Sequence, residues 1–463
     1  MSTSSLWADI KGSIAGNEAD FTTGSIRRAI LLLSIPMVLE MCMESVFAVA
    51  DIFFVSKLGP EAVAAVGLTE GMMTILYAIG MGLSMGTTAI VSRRFGEGDP
   101  EAAAVAGVQG IFVSAAISIP FMLVGFFYAP ELLRWMGASE TIINELSGYA
   151  SIMFLGNIGI LLLFVINAVF RGAGDAAISM RVLIYANGLN IVLDPILIFG
   201  LGPIPAMGIE GAAIATTFSR GLGVIYQLYM LTGRSKRIVV RRQDWVMDWS
   251  IVKSLVRLSL GGIGQMLIGT ASWVLLIRIL AEFGSEVLAG YTIAIRIFIF
   301  SLMPSWGMSN AAATLVGQNL GAGNPDRATW SAWYCAGVNT AFLVLVGIGY
   351  YLFAEGLMGL FTDDPEVIAV GVKCLKIICL GYLIYGMGMV MAQSLNGAGD
   401  TVSPTIINLI AFWMIEIPLA YFLANELGWR EDGVFWAIVI GESLLGLMAM
   451  AWFMRGSWKT KVV

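Results

Sequence analysis

The chain of 463 residues contains no histidine. Proton transfer near neutral pH therefore falls to carboxyl groups, and imidazole-based nucleophile–base pairs and His-containing metal sites are excluded. Cysteine is scarce as well. Cys42, Cys335, Cys374 and Cys379 lie in apolar stretches without metal-ligand spacing, so they read as buried free thiols and not as a disulfide or metal framework. Charge is the third shortage: Asp, Glu, Lys and Arg make up 13% of the residues, about half the usual share in a soluble protein. No basic tract is long enough for a nucleic-acid arm, and no soluble output domain stands apart. Hydrophobic residues reach 58%, so most of the surface must face lipid. The first 25 residues are polar and mixed in charge. They lack the pattern of a secretory signal and read as a short cytosolic tail, with the first membrane helix as an uncleaved insertion signal.

What the sequence does hold, it holds twice. Phe95-Gly96-Glu97-Gly98-Asp99-Pro100 returns at an offset of 225 residues as Leu320-Gly321-Ala322-Gly323-Asn324-Pro325. Arg171-Gly172-Ala173-Gly174-Asp175 returns at the same offset as Asn396-Gly397-Ala398-Gly399-Asp400, and Gly59-Pro60-Glu61 as Gly284-Ser285-Glu286. Three motifs at one spacing mark an internal duplication over nearly the whole chain. In so apolar a chain, a two-fold repeat points to a transporter whose halves move around a shared cavity. The glycines of the first motif predict a tight turn after a long span; no βαβ unit surrounds them, so they are not a phosphate-binding loop.

A membrane span takes about 20 mostly apolar residues. Such runs fall at 29–56, 62–92, 103–128, 144–169, 177–200 and 209–232, then at 251–281, 286–317, 329–355, 366–394, 402–425 and 433–454. Six plus six predict an all-α polytopic membrane protein of twelve transmembrane helices in two parallel six-helix repeats. The expected divisions are a cytosolic tail over 1–25, an N-terminal lobe over 26–232, a cytosolic linker over 233–250 and a C-terminal lobe over 251–463 with a short cytosolic tail. Alternate loops collect the basic residues, among them Arg93, Arg94, Arg171, Arg234, Lys236, Arg237, Arg241, Arg242 and Arg327, while the others hold only Lys57, Arg134 and Arg430. That bias places both termini in the cytosol. Two even-numbered repeats then share one orientation about an axis along the membrane normal. The polar linker is long enough to let the lobes move against each other.

A carboxylate inside a span costs about 3 kcal/mol on insertion scales and is a functional candidate by default. Glu40, Glu44 and Asp51 in the first span fall within about 40° of one another around the helix. Asp194 in the fifth span has Asn190 one turn before it. The second copy supplies a control: Glu40 becomes Gln265, Glu44 becomes Gly269, Asp51 becomes Leu276 and, after a two-residue slip, Asp194 becomes Ile417. One lobe is built without these acids, so the ion site is expected in the first lobe, with Glu40, Glu44 and Gln265 as candidates for substrate contact or relay. Carboxylates suit a proton, and together with Asn190 and a Thr or Tyr oxygen they equally suit Na⁺ at Asp51, Asn190 and Asp194. Pro36, one turn before Glu40, is a candidate hinge. Arg220 and Arg296 are the deepest basic groups. Glu416 and Glu442, inside second-lobe spans, align with no first-lobe ion-site acid.

Taken together, Pro36 and Asp51 in span one, Val91-Ser92-Arg93-Arg94-Phe95-Gly96-Glu97-Gly98-Asp99 after span two, Arg171-Gly172-Ala173-Gly174-Asp175 before span five and their second-half echoes resemble the multidrug and toxic compound extrusion (MATE) family. The likeness spans the whole chain and is nearest to the DinF-type and archaeal branches. It implies a V-shaped pair of lobes that alternates access, with H⁺ or Na⁺ entry driving export of small amphipathic, often cationic compounds across the cell membrane. Carried over by position, the resemblance makes Asp51 and Asp194 the essential aspartates, Asn190 and Tyr149 their cation-site neighbours and Thr216 a further ligand. The NorM-type branch uses acids in spans seven and ten, where this chain has only Gln265 and the uncharged Gly381–Gln393 segment. No enzymatic activity, no cofactor beyond the coupling ion, no nucleic-acid partner and a monomer acting in the lipid bilayer are expected. The alternative is a flippase for a lipid-linked intermediate, but a cavity for anionic headgroups calls for several basic residues, and only Arg220 and Arg296 qualify.

Overall fold

The computed structural model describes residues 3–16 and 19–463, which are helical almost throughout and hold no β-strand. After a tail helix α1 (Thr3–Ala15), the first three spans are α2 (Ile26–Ser56), α3 (Pro60–Gly96) and α4 (Pro100–Trp135). Beyond a short helix α5 (Glu140–Glu145), the fourth span is broken. It consists of α6 (Ser147–Leu155) and α7 (Asn157–Gly172), bent by 40° at Gly156, which lies against Thr217. α8 (Ala176–Phe199) and α9 (Gly208–Leu231) complete the first lobe. Gly208–Leu231 falls short of the hydropathy the other spans reach, with Thr216, Thr217, Ser219, Arg220 and Gln227 interrupting it.

The second lobe repeats the plan with α10 (Trp249–Ala281), α11 (Ser285–Gly321) and α12 (Pro325–Gly359). The tenth span joins α13 (Pro365–Ile378) to α14 (Tyr382–Gly397). The eleventh runs from α15 (Val402–Asn408) through α16 (Ile417–Tyr421) with two π-helical stretches, Leu409–Glu416 and Phe422–Glu426, and α17 (Arg430–Arg455) is the twelfth. The copies agree in detail. Backbone kinks fall at Tyr128 in α4 and at Phe353 in α12, matching positions of the repeat. Pro130 follows only the first, so packing common to both copies sets the kink. Gly98 and Gly323 take φ of 80° and 71° in the turns after α3 and α11, a conformation open to glycine at no steric cost.

Gly96 and Gly321 serve a purpose the sequence did not disclose. A Cβ on Gly96 would overlap the backbone of Gln318, and one on Gly321 would overlap that of Arg93. The ends of α3 and α11 therefore touch backbone to backbone, with Gly317 against Ser92 between these contacts. Further along, Gly82 meets Gly262 and Ile263 of α10, and in the mirrored position Gly307 meets Met37 and Val38 of α2. Gln318 adds a bond from Nε2 to the Gly172 carbonyl at 2.8 Å. Ahead of this seam α3 and α11 carry the exposed side chains Glu70 and Arg296, which face each other electrostatically across the lobes.

Both tail and linker dock at the seam end. Arg327 donates to the carbonyls of Phe21, Thr23 and Gly24, and Arg237 donates to that of Ala19 while stacking on Phe21 and Phe95. Arg28 pairs with Asp9 at 2.8 Å. Residues 19–24 thereby form a strap across both lobes. The linker is not a loose tether. Ser235 donates to Asp175 at 3.0 Å, and Gln109 of α4 clamps the Val246 carbonyl and the Asp248 N–H. It is fastened to the first lobe by these bonds.

Candidate functional site

Along α2 the three acids lie on one side of the helix, and Glu40 and Asp51 are about 16 Å apart at 1.5 Å per residue. The first lobe gives each of them a different setting. At the level of Asp51, α8 and α9 contribute Asp194, Asn190 and Thr216, and α6 contributes Tyr149; all five are buried. With its amide turned to satisfy both neighbours, Asn190 donates to Asp194 Oδ2 at 2.9 Å, and its oxygen accepts from the Thr216 N–H and hydroxyl, each at 3.1 Å. Asp51 acts electrostatically on both Asp194 and the Tyr149 hydroxyl. Neither aspartate belongs to an ion pair among the described residues. It is Thr216 and not Thr217 that completes the cluster, since Thr217 is taken up by the bend at Gly156.

The donor set is all oxygen, with two carboxyls and neutral amide and hydroxyl groups. No group of three or more His, Cys, Asp or Glu side chains is placed to hold a metal among the described residues. Two carboxyls without a resident cation repel each other in a medium of low dielectric, and a proton or a hard monovalent cation relieves that repulsion.

Glu44 lies 3.5 Å from Arg220 and accepts from Asn187 at 3.2 Å. Arg220 also stacks 5.2 Å from the centre of the Phe47 ring, so the residue the sequence left unexplained is held by two groups of α2. Glu40 is 1% exposed and separate from the aspartates. Arg171 Nη1 donates to its Oε1 at 2.7 Å, and Nη2 reaches Ser84 at 2.8 Å. Asn167 and Gln227 extend the network. Arg171 is thus no loop charge. It lies buried at the end of α7, because Glu40 offers a partner that the loop position conceals in the sequence. Gln265 belongs to neither centre. It exchanges hydrogen bonds with Asn396 at 2.9 and 3.0 Å and donates to the Thr401 carbonyl at 3.0 Å, tying α10 to α14 inside the second lobe. Pro36 is buried within a continuous α2.

Glu70 escaped the sequence reading. It lies within the second span and interacts with Arg220 and Arg296. The insertion cost that singled out the α2 acids applies to it equally and was the available signal.

The MatE family model matches the chain twice, over residues 36–196 and 263–422, once in each repeat. Over 449 residues the chain is 28% identical to a probable multidrug resistance protein NorM of Thermotoga maritima, covering 95% of this chain and 94% of the other. Over 436 residues it is 28% identical to an FAD transporter of Shewanella oneidensis, with 91% and 93% covered. A solved structure described as the outward-facing conformation of a multidrug resistance MATE family transporter of the MOP superfamily superposes with a TM-score of 0.89 at 27% identity, over 96% of this chain and 98% of that one. With the match repeated once per lobe and the fold shared over nearly its full length, the chain belongs to the multidrug and toxic compound extrusion family.

Proposed function

We propose that this transporter is a cation-coupled antiporter that exports amphipathic, often cationic organic compounds by alternating access. H⁺ or Na⁺ is the coupling ion, and the working unit is a monomer in the cell membrane with both termini in the cytosol. The observation that carries the reading is the pairing of Asp51 with Asp194 in one lobe, beside Asn190, Thr216 and Tyr149, where the other lobe has Leu276 and Ile417. An ion entering this cluster cancels the repulsion between the aspartates and draws α2 towards α8 and α9. Pro36 provides the place to bend, since a proline leaves the carbonyl one turn earlier without its helical partner. Glu70, exposed on α3, offers a carboxylate to a cationic substrate. The relatives' names, a multidrug resistance protein and an FAD transporter, support organic substrates of appreciable size.

Proteoliposomes with separately imposed pH and Na⁺ gradients test the proposal. Efflux of a fluorescent organic cation should follow one gradient in the wild type and neither in Asp194→Asn. Coupled efflux at the wild-type rate in that variant would overturn the assignment of the ion site.

A further inference from the structure

The second lobe carries an acid pair of its own, with Glu416 buried and Glu442 half-buried. Glu416 ends the π-helical stretch Leu409–Glu416 in the middle of the eleventh span, and Glu442 lies near the middle of α17. π-Helical turns inside α-helices are uncommon and concentrate at functional sites. Glu416 is 2% exposed, and its side chain fills the space that a Cβ on Gly441 would need. Glu442 is the next residue, and the two carboxyls face each other electrostatically. Oε2 of each is fully covered and has no hydrogen-bond partner, and neither carboxyl belongs to an ion pair among the described residues. The polar and titratable groups that face the pair are Ser272 of α10, Tyr291 of α11, and Tyr385 and Tyr382 of α14, with Cys374 of α13 behind Tyr291. None carries a positive charge. A cavity of about 10 Å³, bounded by Tyr382, Tyr385, Val439 and Glu442, adjoins the Glu442 side of the pair; that is room for about one water.

Two ionised carboxylates in such a place would suffer mutual repulsion on top of desolvation, with no cation to offset either. One shared proton removes both penalties, because a protonated carboxyl can donate to the ionised one and satisfy both orphan oxygens. We propose that Glu416 and Glu442 form a proton-binding site in the C-terminal lobe, distinct from the aspartate cluster of the first lobe. The pair holds one proton between its carboxyls and exchanges it with the aqueous side through the adjoining cavity. The sequence could not reveal this, since the residues are 26 positions apart on different spans and neither has an acidic partner in the first repeat.

The test uses the full-length protein in detergent and a hydrophobic carbodiimide, which modifies carboxyls only in their protonated form. Adducts at 416, 442 and 194 are quantified by mass spectrometry between pH 5 and 9. The expected result is labelling within the 416/442 pair that falls at least tenfold across that range. In Glu416→Gln, checked for an unchanged unfolding midpoint, labelling of Glu442 should show its own midpoint moved towards acid by about one pH unit or more, as for a group relieved of a coupled like charge. Three outcomes would overturn the proposal: no adduct at 416 or 442 while Asp194 is modified; labelling that does not change between pH 5 and 9, which marks a static hydrogen bond; and labelling suppressed by Na⁺ at constant pH, which marks a sodium site.

Discussion

At the scale of single residues, Glu40 and Arg171 are buried together, and neither can lose the other without leaving a bare charge in the lobe. Removing one member of such a pair costs about 3–5 kcal/mol, whereas replacing both with apolar groups of similar volume can be nearly neutral. Arg171→Ala should therefore lower the denaturant midpoint in detergent sharply, and Glu40→Leu with Arg171→Met should restore much of it; equal midpoints in wild type and Arg171→Ala would show that the pair is not structural. The opposite pattern is expected one step outward. Asn190→Ala and Thr216→Val remove neutral ligands and should weaken the affinity for the coupling ion about tenfold, in line with the loss of a hydrogen bond to a charged group of about 1.5 kcal/mol, with little change in the unfolding midpoint. Isothermal titration with Na⁺ and proton-release measurements separate these cases. Asp51 and Asp194 stood out in the sequence as candidates because an acid in an apolar span has few explanations and the repeat supplies a copy without it. The separation of Glu40 from that group could not. Its partner Arg171 belongs to a loop motif 131 residues away, and a buried pairing over that distance leaves no local pattern.

Among the elements, α2 holds the proposed hinge Pro36, and the strap over residues 19–24 bridges both lobes. If α2 bends at Pro36 when the ion site fills, Pro36→Ala returns the missing backbone bond and resists the bend. Turnover should fall severely while substrate affinity is retained, and unchanged turnover would make Pro36 a static feature of the helix. The strap depends on Asp20. Burial pushes its carboxyl up, but hydrogen bonds from Thr22 and Thr23 and the charge of Arg237 outweigh this and hold it below the ordinary value. A depressed carboxyl contributes stability that is present above its unfolded value and lost as the pH falls through its folded value. Amide exchange in residues 19–24 should thus accelerate as the pH drops below about 4, after correction for intrinsic rates, and Asp20→Asn should remove that dependence. Span positions were legible because hydrophobic length is a strong signal. The bend at Gly156, the kinks at Tyr128 and Phe353 and the π-helical turns were not, since hydrophobic length carries no mark of a break within a span.

For the molecule as a whole, the seam holds the ends of α3 and α11 together. Gly96→Val or Gly321→Val inserts a side chain where the backbones of α3 and α11 touch. Each should bias the protein towards a state open at this end. Spin labels on Glu97 and Asn324 should report a longer distance than in the wild type, with transport reduced in step. The duplication predicted two lobes in one orientation, but how they touch was hidden, because a glycine spared for a turn and a glycine spared for a contact look alike in a sequence. The pattern of the contact has a further meaning. Gly96 meets Gln318 while Gly321 meets Arg93, the same pair of repeat positions exchanged, and Ser92 meets Gly317, its own duplicate. Residue i against j and j against i is the mark of an isologous interface, the kind that two identical subunits form about a two-fold axis. The two repeats therefore meet as two like subunits would, and an acid can be kept in one half and absent from the other without changing the surface on which they meet. Residues 1–248 and 249–463 expressed as separate chains should accordingly find each other, copurify and transport, and their failure to associate would show that covalent linkage, and not the seam, holds the halves together.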